Sequence, residues 1–180
     1  MCGVLGLVSF RSEPSSRAIA ALNPLLAHRG PDASGVARVG SACFGHTRLS
    51  ILGVHADEAL QPVCKNDYLL SFNGEIYNFQ ELSTELRDQG VGCSGKSDTE
   101  TLFLCLVNWG VERTLAKLDG MFAFGFFDGR QETLYLARDP VGEKPLYWHV
   151  AGARLWFASE IKVLLATGEV SHAPNLARID

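Results

Sequence analysis

The 180-residue sequence predicts an α+β fold in which sheets are sandwiched between helices. Three observations carry this expectation. The stretches Gly3 to Val8 and Met121 to Phe127 are apolar on both strand faces, as strands covered on both sides must be. Several intervening stretches carry an apolar stripe at helical spacing. After Met121 the strand-like runs follow one another at hairpin-length gaps, which gives antiparallel pairing.

In chain order, Gly3 to Val8 is the first strand, and it ties down a chain end that would otherwise fray. Pro14 to Ala27 reads as a helix with Ile19, Leu22 and Leu26 on one face, kinked or ended by Pro24. His28-Arg29-Gly30-Pro31-Asp32 is a turn-rich loop. Residues 35 to 51 read as two strands about a turn near Gly40. In the second, Phe44, His46 and Arg48 share one face, while Thr47, Leu49 and Ile51 share the other. Residues 53 to 67 show little periodicity and read as loop.

Tyr68 to Phe72 reads as a short strand running into a turn at Asn73-Gly74. Asn78 and Glu81 have the spacing of a capping box, and Phe79, Leu82 and Leu86 give the next helix its stripe, which Gly90 stops. Ser97 and Glu100 form a second such cap on a helix apolar nearly all round, hence interior. Val111 to Leu118 is a further amphipathic helix. Phe122, Phe124 and Phe126 then share a strand face suited to a layer of helices; Met121, Ala123 and Gly125 form a small-residue face suited to a second sheet. Strands at Leu134 to Ala137, Leu146 to Val150 and Leu155 to Ala158 follow, and a last helix, Glu160 to Ala166, stops at Gly168.

Composition bounds the function. Hydrophobic residues make up 47% and charged residues 20%, the balance of a globular domain; we assign residues 1–170 to it and 171–180 to a tail. No apolar run reaches the length of a membrane span, and the expected location is the cytoplasm. A net charge of -4 without a block of lysine or arginine argues against nucleic-acid and membrane partners. Five cysteines, widely spaced and without a C-x-x-C pair, support neither a disulfide framework nor a zinc site, and no metal is expected.

Gly90 to Ser97 satisfies the G-x-x-x-x-G-K-[ST] pattern of a phosphate-binding loop. That loop works because a strand delivers it and a helix N-terminus receives the phosphates. Here the preceding element is periodic as a helix, so a nucleotide-binding protein is the weaker reading, separable by ATP titration.

The chemistry gathers elsewhere. If Met1 is removed, as a small second residue permits, Cys2 carries a thiol and a free α-amine on one carbon: a nucleophile with its own base. Thiolate is the attacking species, and the amine takes up its proton directly or through one water. Arg48 suits a carboxylate by its planar, bidentate guanidinium. Asn73 and Gly74 offer a side-chain amide and a closely approachable backbone N–H, the parts of an oxyanion hole. Asp98, at a helix start, and Glu75 suit an ammonium. Each has an ordinary structural role when taken alone; together they match a free α-amino acid whose side-chain carbonyl faces Cys2.

Nine ordered segments extend this. They are Met1-Cys2-Gly3, His28 to Asp32, Arg48 to Ile51, Phe72 to Asn78, Ser97 to Glu100, Asp119 to Phe124, Ala137 to Pro140, Lys144 to Tyr147 and Ala158 to Lys162. In these the chain resembles the glutaminase domain of class II glutamine amidotransferases, which are N-terminal-nucleophile hydrolases, within the asparagine synthetase branch. The resemblance implies a four-layer αββα sandwich of two antiparallel sheets. It implies Cys2 as nucleophile, Asn73 and Gly74 as oxyanion hole, and Arg48, Glu75 and Asp98 as binders of L-glutamine, with Leu49, Ile51 and Leu52 lining the pocket through backbone contacts. It implies no cofactor in this domain; ATP and magnesium belong to a synthetase domain, in the full-length chain or in trans, which the sequence lacks. Val141 and Glu143 depart from the family pattern and are expected to be neutral. A non-catalytic docking module for a synthetase is the alternative, opposed by the retention of Cys2, Arg48, Asn73 and Asp98 together.

Overall fold

The computed structural model describes residues 1–50 and 60–173. Ile51 and Leu52, and most of the tail, lie outside the described residues. Chain order gives β1 (Gly3–Ser9), α1 (Ser16–Leu22), β2 (Ala33–Val39), β3 (Ala42–Arg48), β4 (Val63–Lys65), β5 (Tyr68–Ile76), α2 (Phe79–Asp88) and α3 (Asp98–Trp109). There follow α4 (Val111–Leu115), β6 (Gly120–Asp128), β7 (Thr133–Arg138), β8 (Tyr147–Ala151), β9 (Arg154–Ala158) and α5 (Ile161–Ala166).

The strands form two antiparallel sheets, ordered β2-β3-β1-β9-β8 and β4-β5-β6-β7. Alternation along each strand divides the apolar residues into three layers of core. Leu5 and Leu7 point away from the second sheet and pack with Ile19, Leu26, Val163 and Leu164 beneath α1 and α5. Phe122, Phe124 and Phe126 pack with Leu82, Leu86 and Leu102 beneath α2 and α3. Val8, Phe44, Leu69, Phe127 and Phe157 fill the space between the sheets. The result is the four-layer αββα sandwich. Both sheets admit the Phe157 ring because each offers a glycine there. A Cβ on Gly6 or Gly125 would collide with that ring, which also meets Phe44 edge-on at 4.9 Å.

Several local expectations are corrected. Asn73-Gly74 is not a turn: β5 runs through it to Ile76, with Asn73 opposite Ala123 and Gly74 opposite Phe122. A nine-residue ladder outweighs the turn preference of a dipeptide. The glycine is needed for another reason, because a Cβ there would press into Met121 O and Phe122 of β6. Asn78 precedes α2 but makes no capping bond; its side chain donates to Lys117 O at 2.8 Å and accepts from Asp119 N at 3.1 Å, which ties α2 to the start of β6. Ser97 does cap α3, accepting from Glu100 N, but the Glu100 carboxylate turns to Ser94 instead of closing the box. Pro24 ends α1 at Leu22, and residues Asn23–Leu26 continue as a 3-10 turn. The stretch 53 to 67 includes the short strand β4, and α4 ends at Leu115. The strands after Met121 are antiparallel but not one meander, since β7 lies in one sheet and β8 in the other. Before the phosphate-loop pattern comes α2 and no strand, so the context that pattern needs is missing.

Candidate active site

Cys2 lies just before β1, the central strand of the five-stranded sheet, whose ladder pairs Gly3 with Thr47 and Val4 with His46. Extending that register sets Cys2 beside Arg48, both on the face turned to the second sheet. From β5 the residues of matching parity, Ser71, Asn73 and Glu75, face back. His46 Nδ1 lies 3.1 Å from Ser71 Oγ, and this pair joins the two sheets directly behind Arg48. The His46 ring is neutral, since burial and then the Arg48 charge bring its pKa down to about 3. One end of the sandwich thus gathers the predicted side chains from both sheets.

Cys2, Arg48, Leu49, Gly74, Glu75 and Asp98 line a single cavity, completed by Gln61, Phe72, Ser97 and Thr99, with free space of about 40 Å³. Three larger hollows, of about 420, 440 and 200 Å³, contain none of the predicted groups. Size therefore does not identify the site, and the assignment rests on chemistry.

The thiol is the first element. Leu49 N donates to Cys2 Sγ at 3.4 Å and Sγ approaches Leu49 O at 3.7 Å, so the predicted backbone contact of Leu49 is made to the cysteine itself. Burial raises the Cys2 pKa; the Leu49 bond, the positive N-terminus and Arg48 pull it down, and Glu75 adds to the rise. With Met1 still attached, Cys2 is a poorly ionised thiol at neutral pH. Met1 itself is half exposed, and Lys144 Nζ donates to its sulfur at 3.9 Å.

The hydrogen-bond donors come from the free edge of β5. Phe72 N donates to Gln61 Oε1 at 2.7 Å and Ile76 N to Asp98 Oδ2 at 3.2 Å. By alternation the Gly74 N–H points out of the same edge, between two that are occupied. Asn73 is 2% exposed, and its Nδ2 is buried with no acceptor among the described residues. A buried amide donor left unpaired costs about 1–3 kcal/mol. Such a cost is tolerated where an incoming acceptor is to be bound.

The carboxylates form the third element. Burial raises the Asp98 pKa against bonds from Ile76 and Thr99. Glu75 is raised by burial and then by the Asp98 charge, with Lys144 acting in the opposite sense. Two neighbouring carboxyls, each disfavoured as an anion, are a place where an ammonium is stabilising. Arg48 is 8% exposed and its charge is felt by both Cys2 and His46.

Sequence reasoning did not mark Gln61, Lys144 or Arg29 for the site. Arg29 Nε donates to the Cys2 carbonyl at 3.0 Å and its Nη1 lies 3.2 Å from Glu160 Oε1. Arg29 and Lys144 carried the signal of their places in two of the quoted segments; Gln61, in a stretch without periodicity, carried none. Among the described residues no group of three or more His, Cys, Asp or Glu side chains is placed to hold a metal, and no helix is long and apolar enough to cross a membrane.

Sandwich and site together define the N-terminal-nucleophile hydrolase fold with a cysteine at its mouth. A family model described as a glutamine amidotransferase domain matches residues 1–180, and the chain belongs to that family, in its class II. It is 35% identical over 186 residues to asparagine synthetase [glutamine-hydrolyzing] 3 of Bacillus subtilis, covering 100% of this chain and 29% of that one. With asparagine synthetase [glutamine-hydrolyzing] 1 of the same organism it shares 39% over 173 residues, 92% of this chain and 27% of that one. The chain thus spans less than a third of the length of these curated relatives. Among solved structures, the glutamine phosphoribosylpyrophosphate amidotransferase of Bacillus subtilis, complexed with ADP and GMP, superposes with a TM-score of 0.74 at 25% identity, over 93% of this chain and 44% of that one.

Proposed function

We propose that the domain hydrolyses the side-chain amide of L-glutamine to glutamate and ammonia through a thioester on Cys2. The observation that carries this is the meeting, at one cavity, of the Cys2 thiol with the Gly74 edge N–H, beside a buried and unsatisfied Asn73 donor. Removal of Met1 exposes the α-amine, which takes the thiol proton. The thiolate then attacks the amide carbon. The oxyanion is held by Asn73 Nδ2 and Gly74 N–H, and ammonia leaves with the proton from the amine. Water hydrolyses the thioester, giving glutamate and restoring the thiol. Arg48 holds the substrate carboxylate; Glu75 and Asp98 hold its ammonium.

The relatives' printed name, asparagine synthetase [glutamine-hydrolyzing], supports a partner role: ammonia passing to an asparagine-synthetase-type domain that amidates aspartate or a related acid. We assign ATP and magnesium to that domain and no cofactor to this one. We assign residues 1–170 to the glutaminase unit and 171–180 to the lead toward that partner. The test is glutamate release from glutamine without ATP, using protein whose intact mass shows Met1 removed, against Cys2→Ala. Turnover in the first and none in the second is expected. Silence in both, with Met1 absent, sinks the reading of an independent glutaminase in favour of a docking module.

A further inference from the structure

We propose that Gln61 is a catalytic residue of the second chemical step, its side-chain oxygen holding the water that cleaves the Cys2 thioester. The inference rests on the reading of Cys2 as nucleophile and deepens it. β4 pairs with β5 from Val63 opposite Leu70 to Lys65 opposite Tyr68. Two residues further, that register sets Gln61 opposite Phe72, but the ladder does not continue. The Gln61 carbonyl lies instead against β2 of the other sheet, where a Cβ on Gly35 would collide with it. Its side chain takes over the vacated place: Phe72 N donates to Oε1 at 2.7 Å. Contacts with both sheets thus hold Gln61 on the free edge of β5, in the wall of the cavity that Cys2 also lines.

The order of groups along that edge gives Gln61 its role. The Phe72, Gly74 and Ile76 N–H groups follow one another at about 6.8 Å, two residues of antiparallel strand. Asp98 accepts from Ile76 N at 3.2 Å, so the ammonium end of the substrate belongs at that end and the scissile carbonyl at Gly74. Past Gly74, on the Phe72 side, comes the nitrogen that leaves and, after it, the water that replaces it. From an oxygen at Gly74, a carbonyl bond of about 1.2 Å leaves roughly 6 Å between the acyl carbon and Gln61 Oε1. One water spans that gap, at about 2.8 Å from Oε1 and about 3 to 3.5 Å from the carbon. An amide oxygen has two lone pairs; Phe72 N–H takes one, and the other accepts one hydrogen of the water. The α-amine, having given its proton to the departing ammonia, accepts the other. Held by both hydrogens, the water turns a lone pair to the acyl carbon. The C–O bond forms as the amine takes a proton. The oxyanion then collapses, the C–S bond breaks, and the ammonium returns its proton to the leaving thiolate. The γ-carboxylic acid so formed loses its proton to solvent.

The test uses protein with Met1 removed, in wild-type, Gln61→Met and Gln61→Glu forms, with ammonia and glutamate release followed separately. Gln61→Met keeps the length of the side chain and removes the amide oxygen. We expect a first equivalent of ammonia per site at near the wild-type rate, then turnover about 10²-fold slower. Because only the second step is slowed, KM should fall with kcat, leaving kcat/KM within about threefold. Intact mass should show the glutamyl group accumulating on Cys2. Hydroxylamine, a stronger nucleophile than water, should discharge it as the γ-glutamyl hydroxamate. Gln61→Glu keeps an acceptor for both the Phe72 N–H and the water, and its kcat should stay within about tenfold of wild type. A Gln61→Met protein with unchanged kcat, or one whose kcat falls without a glutamyl adduct, overturns the proposal; the second result would mean that Gln61 only supports the strand edge. If Gln61→Met does not fold, the same readouts on Gln61→Asn, whose oxygen is one methylene short, decide it. Wild-type protein that releases no ammonia overturns the reading of Cys2 and this proposal with it. Wild-type turnover beside an unaffected variant overturns the proposal alone.

Discussion

At the scale of single residues, the site trades stability for binding. Asp98 is 6% exposed and its pKa is raised by burial. A folded-state value above the unfolded one means that Asp98 stabilises the fold only while protonated, below its unfolded pKa. That contribution is lost as pH rises through the folded value. At neutral pH the buried anion is unfavourable, a cost that the proposed substrate ammonium would offset. Asp98→Asn keeps an acceptor for the Ile76 N–H and removes the charge. We expect its melting temperature at pH 7 to stay level or rise, while KM for glutamine rises about 10- to 100-fold, the worth of a charged hydrogen bond. A variant that binds glutamine normally would remove Asp98 from the site. Arg48 was proposed from its guanidinium chemistry, and alternation along the strand set it on one face with Phe44 and His46. Arg29 was not legible as a site residue. Its contacts reach Cys2, 27 residues away, and Glu160, 131 residues away, distances no local pattern spans.

Among the elements, β5 repays most attention. Its central ladder bonds go to β6, and its outer edge carries two N–H groups occupied by side chains with Gly74 between them. The misreading of Asn73-Gly74 as a turn came from treating a dipeptide preference as decisive. The proposal of the same two residues as donors does not depend on a turn, because their amide chemistry is the same whether or not the backbone turns there. Gly74→Ala tests both facts together. The new Cβ must push against Met121 O and Phe122, at a cost of about 1–3 kcal/mol. At about 2–4 °C per kcal/mol for a chain of this size, calorimetry would register a lower melting temperature. Displacing an oxyanion donor costs about 10²–10³-fold in kcat, so activity should fall far more than stability. A fully active variant would show that the Gly74 N–H is not a donor.

Over the whole molecule, the sandwich was legible from two features: strands apolar on both faces, and a strand with phenylalanines on one side and small residues on the other. What could not be read was the partition of strands between sheets, since hairpin-length gaps do not show that β8 crosses to the sheet of β1. Phe157, on β9, fills the space between the sheets. Its ring lies against Gly6 of one sheet and Gly125 of the other. Phe157→Ala should therefore loosen both sheets together, costing about 3–5 kcal/mol in denaturant unfolding. A loss under about 1 kcal/mol would mean that the layers do not depend on that ring.

β1 is flanked by strands on both sides, and Cys2 lies one residue before it. For anyone producing this protein, that end is not a handle. On the mechanism proposed for Cys2, an affinity tag or fusion partner left on the amino terminus would stay joined to the nitrogen that takes up the thiol proton. We expect such a product to release no glutamate in the assay, a loss that removal of the tag up to Cys2 would restore. Tags belong at the other end, and intact mass is the quality control to run before any kinetics.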